Sequence, residues 1–447
     1  MAGSVRSRLL EAGRRDGRPH QITPGAASLA GSEVLRNKWV QGGLIAVCLF
    51  LIYFATGNKA NPYNQDVRLA DAFLHGRVYL VHPPDYLELA RYNDNGTDCK
   101  GSDDGCKGYV IDPPLPAVLM MPLVAIFGTD LNQVFVSLAL GAAAMGLFWV
   151  ATRQMGWGRQ LGAAMTVLLA LGTNFWWAAG EGSLWSSSHV FSMFFMMTAL
   201  VVATGPKRPW LVGLLLGLSG LARLPTFLAF PFFLYLVLKD DIPDWRDWRA
   251  VVWNRGVIRK VLQFGGGLGA MASMVVLYNY ARYGTILDHG YDHPVYTKDW
   301  QFAEGIFSIS YIPRHIRGIF FYGPEPIAQF PFFKPAVFGM ALFMVTPAFL
   351  YAYRALAKRL EVAAALAMGL VMIPHVLYAV TGGGFGYRFS LDYLPMLAVL
   401  TASGMGHRVG IRGWLAIVLS VLVAIWGPLY FFDTRLEDVL GHQWTLQ

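Results

Sequence analysis

Several ionisable side chains in this sequence border or interrupt apolar runs, where a charge is costly unless it is paired or used. Asp66 and Asp71 lie in NPYNQDVRLADAFLHGRVYL, and Asp112 lies in YVIDPPLP. Glu181, Trp185 and His189 fall in WWAAGEGSLWSSSHVF. Arg223 breaks LSGLARLPTF, and Tyr387, Arg388 and Asp392 fall in GGGFGYRFSLDYLP. A carboxylate held at a membrane surface can take the proton of an acceptor hydroxyl within reach of a lipid phosphate. Arginine offers a permanent charge and a planar donor fork suited to phosphate oxygens. Glycines 382–384 and 386 let backbone come close to a ligand. The chemistry implied is acid–base work beside a phosphate.

Each residue also has a plainer reading. Asp66 would stand in the first turn of a helix, where the dipole favours an acid. Asp112 precedes prolines that hold extended backbone and then permit a helical turn. An interfacial tryptophan such as Trp185 is ordinarily an anchor. His189, a turn below Trp185, is either a pocket residue or a hydrogen-bonded structural histidine. Arg388 paired with Asp392 at i,i+4 would only order its turn.

The elements that must position these residues cross a membrane. Of 447 residues, 55% are hydrophobic and only 14% charged, about half the usual globular share of charge. Charges crowd into short segments between apolar runs of about twenty residues, the length that spans a hydrocarbon core. A soluble enzyme, a fibre and a disordered chain are excluded. The net charge of +8 does not imply nucleic acid, because it is concentrated beside spans. Residues 1–38 hold seven Arg/Lys, among them Arg14, Arg15 and Lys38, against three acids. This reads as a cytoplasmic tail before an uncleaved anchor.

Spans are expected near 39–56, 131–151, 161–177, 185–204, 209–222, 225–238, 261–281, 336–353, 362–380, 391–406 and 413–431. Residues 116–128 are too few to cross and read as an interfacial helix. With eleven spans, every inner loop is basic: Arg153 and Arg159; Lys207 and Arg208; Lys239–Lys260; Arg354, Lys358 and Arg359; Arg408 and Arg412. The membrane domain is thus 39–435, followed by a short outer tail, 436–447. Its outer face receives loops 57–130 and 282–335 and the glycine-rich turn. The first loop holds ten acids against six bases. Within NPYNQDVRLADAFLHGRVYL, the apolar positions Val67, Ala70, Phe73 and Leu74 recur at helical spacing, predicting a short amphipathic helix that carries Asp66 and Asp71.

Cys99 and Cys106, seven residues apart in that loop, suit a local disulfide in an oxidising compartment. Cys48 reads as packing in the first span. The second loop offers Asp288, His289, Tyr291, Asp292, His293, Arg314, His315 and Arg317, without an established metal-ligand spacing. There is no Walker loop, GxSxG elbow or HExxH motif.

An acidic juxtamembrane helix after span one and a Pro-Pro-Leu element before a second outer helix resemble C-type (GT-C) membrane glycosyltransferases. The chain is similar to the protein O-mannosyltransferase and aminoarabinose-transferase superfamily. The stretches that carry the likeness are LADAFLHGRVYL (69–80), DPPLP (112–116), GLLLGLSGLARLP (213–225) and FGYRFSLDYLP (385–395), within residues 40–400. The resemblance implies an all-α bundle and a sugar donor on a polyprenyl phosphate. The sugar is then transferred with inversion, on the outer face, to a lipid, glycan or protein acceptor. It further implies an aspartate base in the first loop, arginines on the phosphate, and a reaction that usually needs no metal; no cofactor is expected. The family commonly has Asp-Glu about eight residues before the position of Ala70, where this chain has Asn61-Pro62-Tyr63. The base is therefore sought among Asp66, Asp71 and Asp112. Arg388 and Arg223 would hold phosphate, and Glu181, Trp185, His189, Tyr387 and Asp392 would line the pocket. A transporter or flippase, and a lipid-linked oligosaccharide ligase, are the alternatives. The first would place working charges at the midplane, commonly in repeated helices, and no repeat is evident here.

Overall fold

The computed structural model describes residues 36–242 and 254–435, apart from 288–289, 292, 294–297, 299, 329–331, 337–338 and 356–357. The N-terminal tail up to residue 35, the tail beyond 435, and Asp288, His289 and Asp292 lie outside the described residues.

The described chain is overwhelmingly helical, and six helices are long and apolar enough to cross a membrane. These are α1 (Lys38–Thr56), α4 (Gln133–Gln154), α7 (Leu184–Thr204), α9 (Arg255–Tyr283), α11 (Arg359–Leu377) and the Ile411–Phe431 segment. Their starts are set locally. Asn37, Asn132 and Asn254 each accept a hydrogen bond from a first-turn amide, filling one of the donors that a helix start leaves free. Helices α4 and α7 form the buried centre, and α9 lies largely exposed at the edge. Helix α1 crosses α4 at a glycine pair: a Cβ on Gly146 would stand 2.4 Å from the Gly42 carbonyl oxygen. Small residues at such a crossing let two backbones meet where no hydrophobic force drives association.

The eleven expected spans are corrected in four places. The 161–177 run is a bent pair, α5 (Arg159–Leu171) and α6 (Phe175–Glu181), with a 47° break. The 209–222 run needs no correction: it is one fourteen-residue helix with the expected bounds, α8 (Pro209–Ala222). The 225–238 and 336–353 runs are divided into 3-10 and α segments, including 3-10 turns at Leu224–Ala229 and Pro347–Arg354. The 391–406 run is a 3-10 turn, Arg388–Tyr393, followed by α12 (Leu394–Met405). Pro225, Pro231, Pro347 and Pro395 sit in the first turns of segments in the other three runs, each blocking the preceding turn, whereas the α5–α6 break carries Gly172, Thr173 and Asn174. Hydropathy reads the apolar run and is blind to the break.

The first loop is ordered by two short helices and a small sheet. Helix α2 (Gln65–Leu74) packs on α3 (Leu115–Phe127), which exposes Val118, Leu119, Ile126 and Phe127. Strands β1 (Leu80–Val81), β2 (Ala90–Tyr92) and β3 (Lys107–Tyr109) pair antiparallel in the order β1-β3-β2. Cys99 and Cys106 are joined in a disulfide beside this sheet. His293 of the second loop is buried, with its ring 2.8 Å from the Arg91 carbonyl and 3.3 Å from Asp98. It ties the two loops together, and no group of three metal-ligating side chains occurs among the described residues. Cys99→Ser is expected to destabilise the loop by about 2 kcal/mol, by freeing the unfolded loop. Faster proteolysis between residues 93 and 107, with unchanged helical circular dichroism, is the measurement.

Candidate active site

Five segments meet at one end of the bundle: α2, the strand-to-helix link 110–114, the α6–α7 turn, the α8 end and the 388–393 turn. Helix α2 turns Asp66 inward, leaving it 1% exposed, and its Oδ2 accepts a hydrogen bond from Ser187 Oγ at 3.0 Å. Burial pushes the Asp66 carboxyl up to about 8; the Ser187 bond opposes this, and the nearby charge of Asp112 adds to it. Asp112 is half-buried. Desolvation raises its proton affinity, and Arg223, Arg388 and Arg282 draw it back. Arg282, at the end of α9, donates to the carbonyls of Val110 and Ile111 and to Asn279. It therefore fixes the link that carries Asp112. Sequence reading missed Arg282, although a lone arginine closing a long apolar helix is a usable signal.

Asp392 is the hub of the opposite wall, 1% exposed. Its Oδ1 accepts from His189 Nδ1 at 2.6 Å, while Arg223 Nε and one terminal nitrogen reach Oδ2 at 3.3 Å. His375 Nε2 lies 3.0 Å from the same oxygen, and its ring stacks on Phe389 with centroids 4.6 Å apart. His375, a single histidine near the end of an apolar run, is the second residue the sequence reading passed over.

The expected alternative of an Arg388–Asp392 pair is overturned. Residues 388–393 form a 3-10 turn, in which i and i+3 share a face and i and i+4 diverge. Asp392 is held instead by Arg223 and two histidines. Arg388 Nε is buried with no hydrogen-bond partner among the described residues. Burial and the neighbouring Arg223 lower the Arg388 pKa to about 10, with Glu181 and Asp112 opposing. At neutral pH it remains a desolvated cation. The imidazole of His189 is similarly incomplete, its Nε2 buried and unpartnered among the described residues.

Tyr387 packs behind this wall. The His315 ring, whose pKa burial lowers to about 4, is neutral. Its Nε2 donates to the Tyr378 carbonyl at 2.8 Å, so Nδ1 accepts from the Tyr387 hydroxyl at 2.9 Å. Glu181 accepts from Asn61 Nδ2 at 3.0 Å and from the Ser183 amide at 2.9 Å. It anchors the α6–α7 turn to Asn61, just after the first helix. Trp185 packs on Tyr63, centroids 5.1 Å apart.

Asp71 does not join this cluster. Five residues beyond Asp66, it lies about 140° further round the helix. Its carboxylate is 3.6 Å from His75 Nδ1, and it faces a separate cavity.

The arrangement offers a buried carboxylate of high proton affinity, a second acid, and two arginines, one paired with Asp392 and one whose Nε has no partner among the described residues. No protein-family profile matches the chain, and no curated protein matches it. Among solved structures the chain is similar to ArnT from Cupriavidus metallidurans bound to undecaprenyl phosphate, with a TM-score of 0.48 and 15% identity over 85% of this chain and 62% of that one. It is likewise similar to the same ArnT in its apo state, with a TM-score of 0.47 and 14% identity over 88% of this chain and 62% of that one. The chain thus spans less than two thirds of the length of the ArnT chains it resembles.

Proposed function

We propose that this chain is an inverting GT-C glycosyltransferase of a cell's inner membrane. In this reading it moves a sugar from a polyprenyl-phosphate donor to a lipid, glycan or protein hydroxyl on the extracytoplasmic face. The observation that carries the reading is the desolvated Arg388, unpartnered at Nε and set beside Asp112 and Arg223 at the end of the bundle where Asp66 is buried. The donor phosphate lies against Arg388, with Arg223 behind it. Asp66 takes the proton of the acceptor hydroxyl. The freed oxygen forms a bond to the anomeric carbon as the carbon–oxygen bond to phosphate breaks on the opposite side. The electron pair leaves with the phosphate, whose charge the arginines stabilise. Trp185 and His189 line the pocket. The N-terminus is cytoplasmic in this reading, because the basic loops lie at the end away from the site.

A general base must be ionised to act, and Asp66 holds its proton up to about pH 8. Transfer, read as kcat/KM for a synthetic donor, is therefore expected to rise with pH through about 8 and then level. A flat profile between pH 6 and 9 would remove Asp66 from the role.

The buried Asp392–His189–His375 cluster favours a second reading, a transporter or flippase, since such groups inside helices mark transport pathways. Purified protein in liposomes, given a polyprenyl-phosphate sugar and candidate acceptors, separates the two. Release of polyprenyl phosphate with a new glycosidic bond supports transfer, and movement of intact donor without bond formation supports transport.

A further inference from the structure

The face of α2 opposite Asp66 borders a cavity of about 120 Å³. Arg68 and Asp71 reach it from the helix, Arg77 and Tyr79 from the turn that follows, and Val81 and Thr129 close its sides. That volume equals about four waters, the scale of a phosphate group. Its two arginines have no carboxylate partner among the described residues. Arg68 donates through Nε to Asn64 Oδ1 at 2.9 Å, and Arg77 Nε is buried with no hydrogen-bond partner among the described residues. Asp71 approaches His75 rather than either guanidinium. A cavity holding two unpaired guanidinium groups against one acid is suited to an anion with several oxygens.

The surroundings say where such an anion comes from. Val81 is 47% exposed, Leu74 at the end of α2 is 42% exposed, and Phe127 at the end of α3 is 59% exposed. A charged cavity whose lining includes the exposed Val81, with exposed Leu74 and Phe127 each two residues along the chain from the lining residues Ala72 and Thr129, fits a phosphate that arrives with acyl chains attached.

We propose that this cavity binds the phosphate of an anionic membrane lipid, with Arg68 and Arg77 as its ligands and Leu74, Val81 and Phe127 against the chains. The site is separate from the proposed donor site and does not depend on the transfer reaction. Because one helix presents Asp66 on one face and Arg68 on the other, a bound lipid clamps the element that positions Asp66.

The test uses the full chain purified in detergent, titrated with phosphatidylglycerol or phosphatidylcholine and read by native mass spectrometry. Wild type is expected to retain phosphatidylglycerol over phosphatidylcholine by about thirtyfold, the scale for two basic groups at an anionic surface. Arg68→Gln/Arg77→Gln is expected to erase the preference. Arg68→Lys/Arg77→Lys, which keeps the charge and loses the fork, is expected to retain part of it. The wild-type lipid comparison needs no variant, so a Gln protein that fails to fold leaves the proposal open to refutation. Equal retention of both lipids by wild type, or an undiminished preference in a folded Gln variant, overturns it. Binding of millimolar inorganic phosphate with no preference between the lipids reassigns the cavity to a free phosphate and also overturns it.

Discussion

Replacing Asp66 by Asn is expected to lower sugar transfer by about 10³-fold, within the range that a positioned general base contributes, and to leave the fold intact. The variant keeps the shape of the carboxyl and can keep the Ser187 contact, so the bundle has no reason to rearrange. Stability gives an independent readout with a definite sign. The folded pKa of about 8 lies above the ordinary aspartate value of 3.8, so the native state binds the proton more tightly than the unfolded chain. The stabilisation from that proton is fully present below about pH 4 and is lost as pH rises through about 8. Asn carries no such dependence. The melting temperature of Asp66→Asn should match wild type near pH 4 and exceed it increasingly towards pH 8. Near-parental transfer by the folded variant sinks the assignment, and a variant equally unstable at every pH would show that burial, not protonation, dominates at this position.

Arg388→Gln is the second large effect, an expected fall of about 10² to 10³-fold in transfer, the scale for removing one preorganised donor from a developing oxyanion. Its contrast with Arg223 makes the test specific. Arg223 holds the buried Asp392 through two contacts at 3.3 Å. Arg223→Gln leaves that carboxylate with the two histidines alone and is expected to cost about 3 kcal/mol of stability as well as activity. Arg388 makes no ion pair among the described residues, so Arg388→Gln should keep the parental melting temperature while losing donor binding, seen as a raised KM for the polyprenyl-phosphate sugar. Arg388→Lys restores charge without the fork and should recover only part of the loss. If Arg388→Gln unfolds the protein and Arg223→Gln does not, the roles of the two arginines are reversed.

Much of the site was legible because charge is scarce in this chain. Asp66, Asp112, Arg223, His189 and Asp392 each interrupt apolar sequence, and the structure gathers all five at one end of the bundle. Helical spacing alone separates Asp71 from them, since five residues on a helix face different ways. What was not legible was pairing. Arg388 and Asp392 are neighbours in sequence, yet the 3-10 turn sends Asp392 to Arg223, 169 residues away, and to His375 on another helix. Arg282 and His375 were passed over for the same reason: each is a single polar residue whose partners lie far along the chain.

By itself the sequence determined the class of the protein: apolar runs long enough to cross a lipid core, basic loops between them, and acids collected in one long loop. Those features follow from the cost of moving charge or unpaired backbone into hydrocarbon, which acts on every residue locally. Only the tertiary structure decided which runs are single helices, because a break at a proline or at Gly172-Thr173-Asn174 changes geometry without changing the apolar run. Only it decided which arginine pairs with a buried aspartate and which keeps a buried Nε with no partner among the described residues. A buried charge takes whatever counter-charge the packing of distant helices places beside it, and chain order carries no record of that choice.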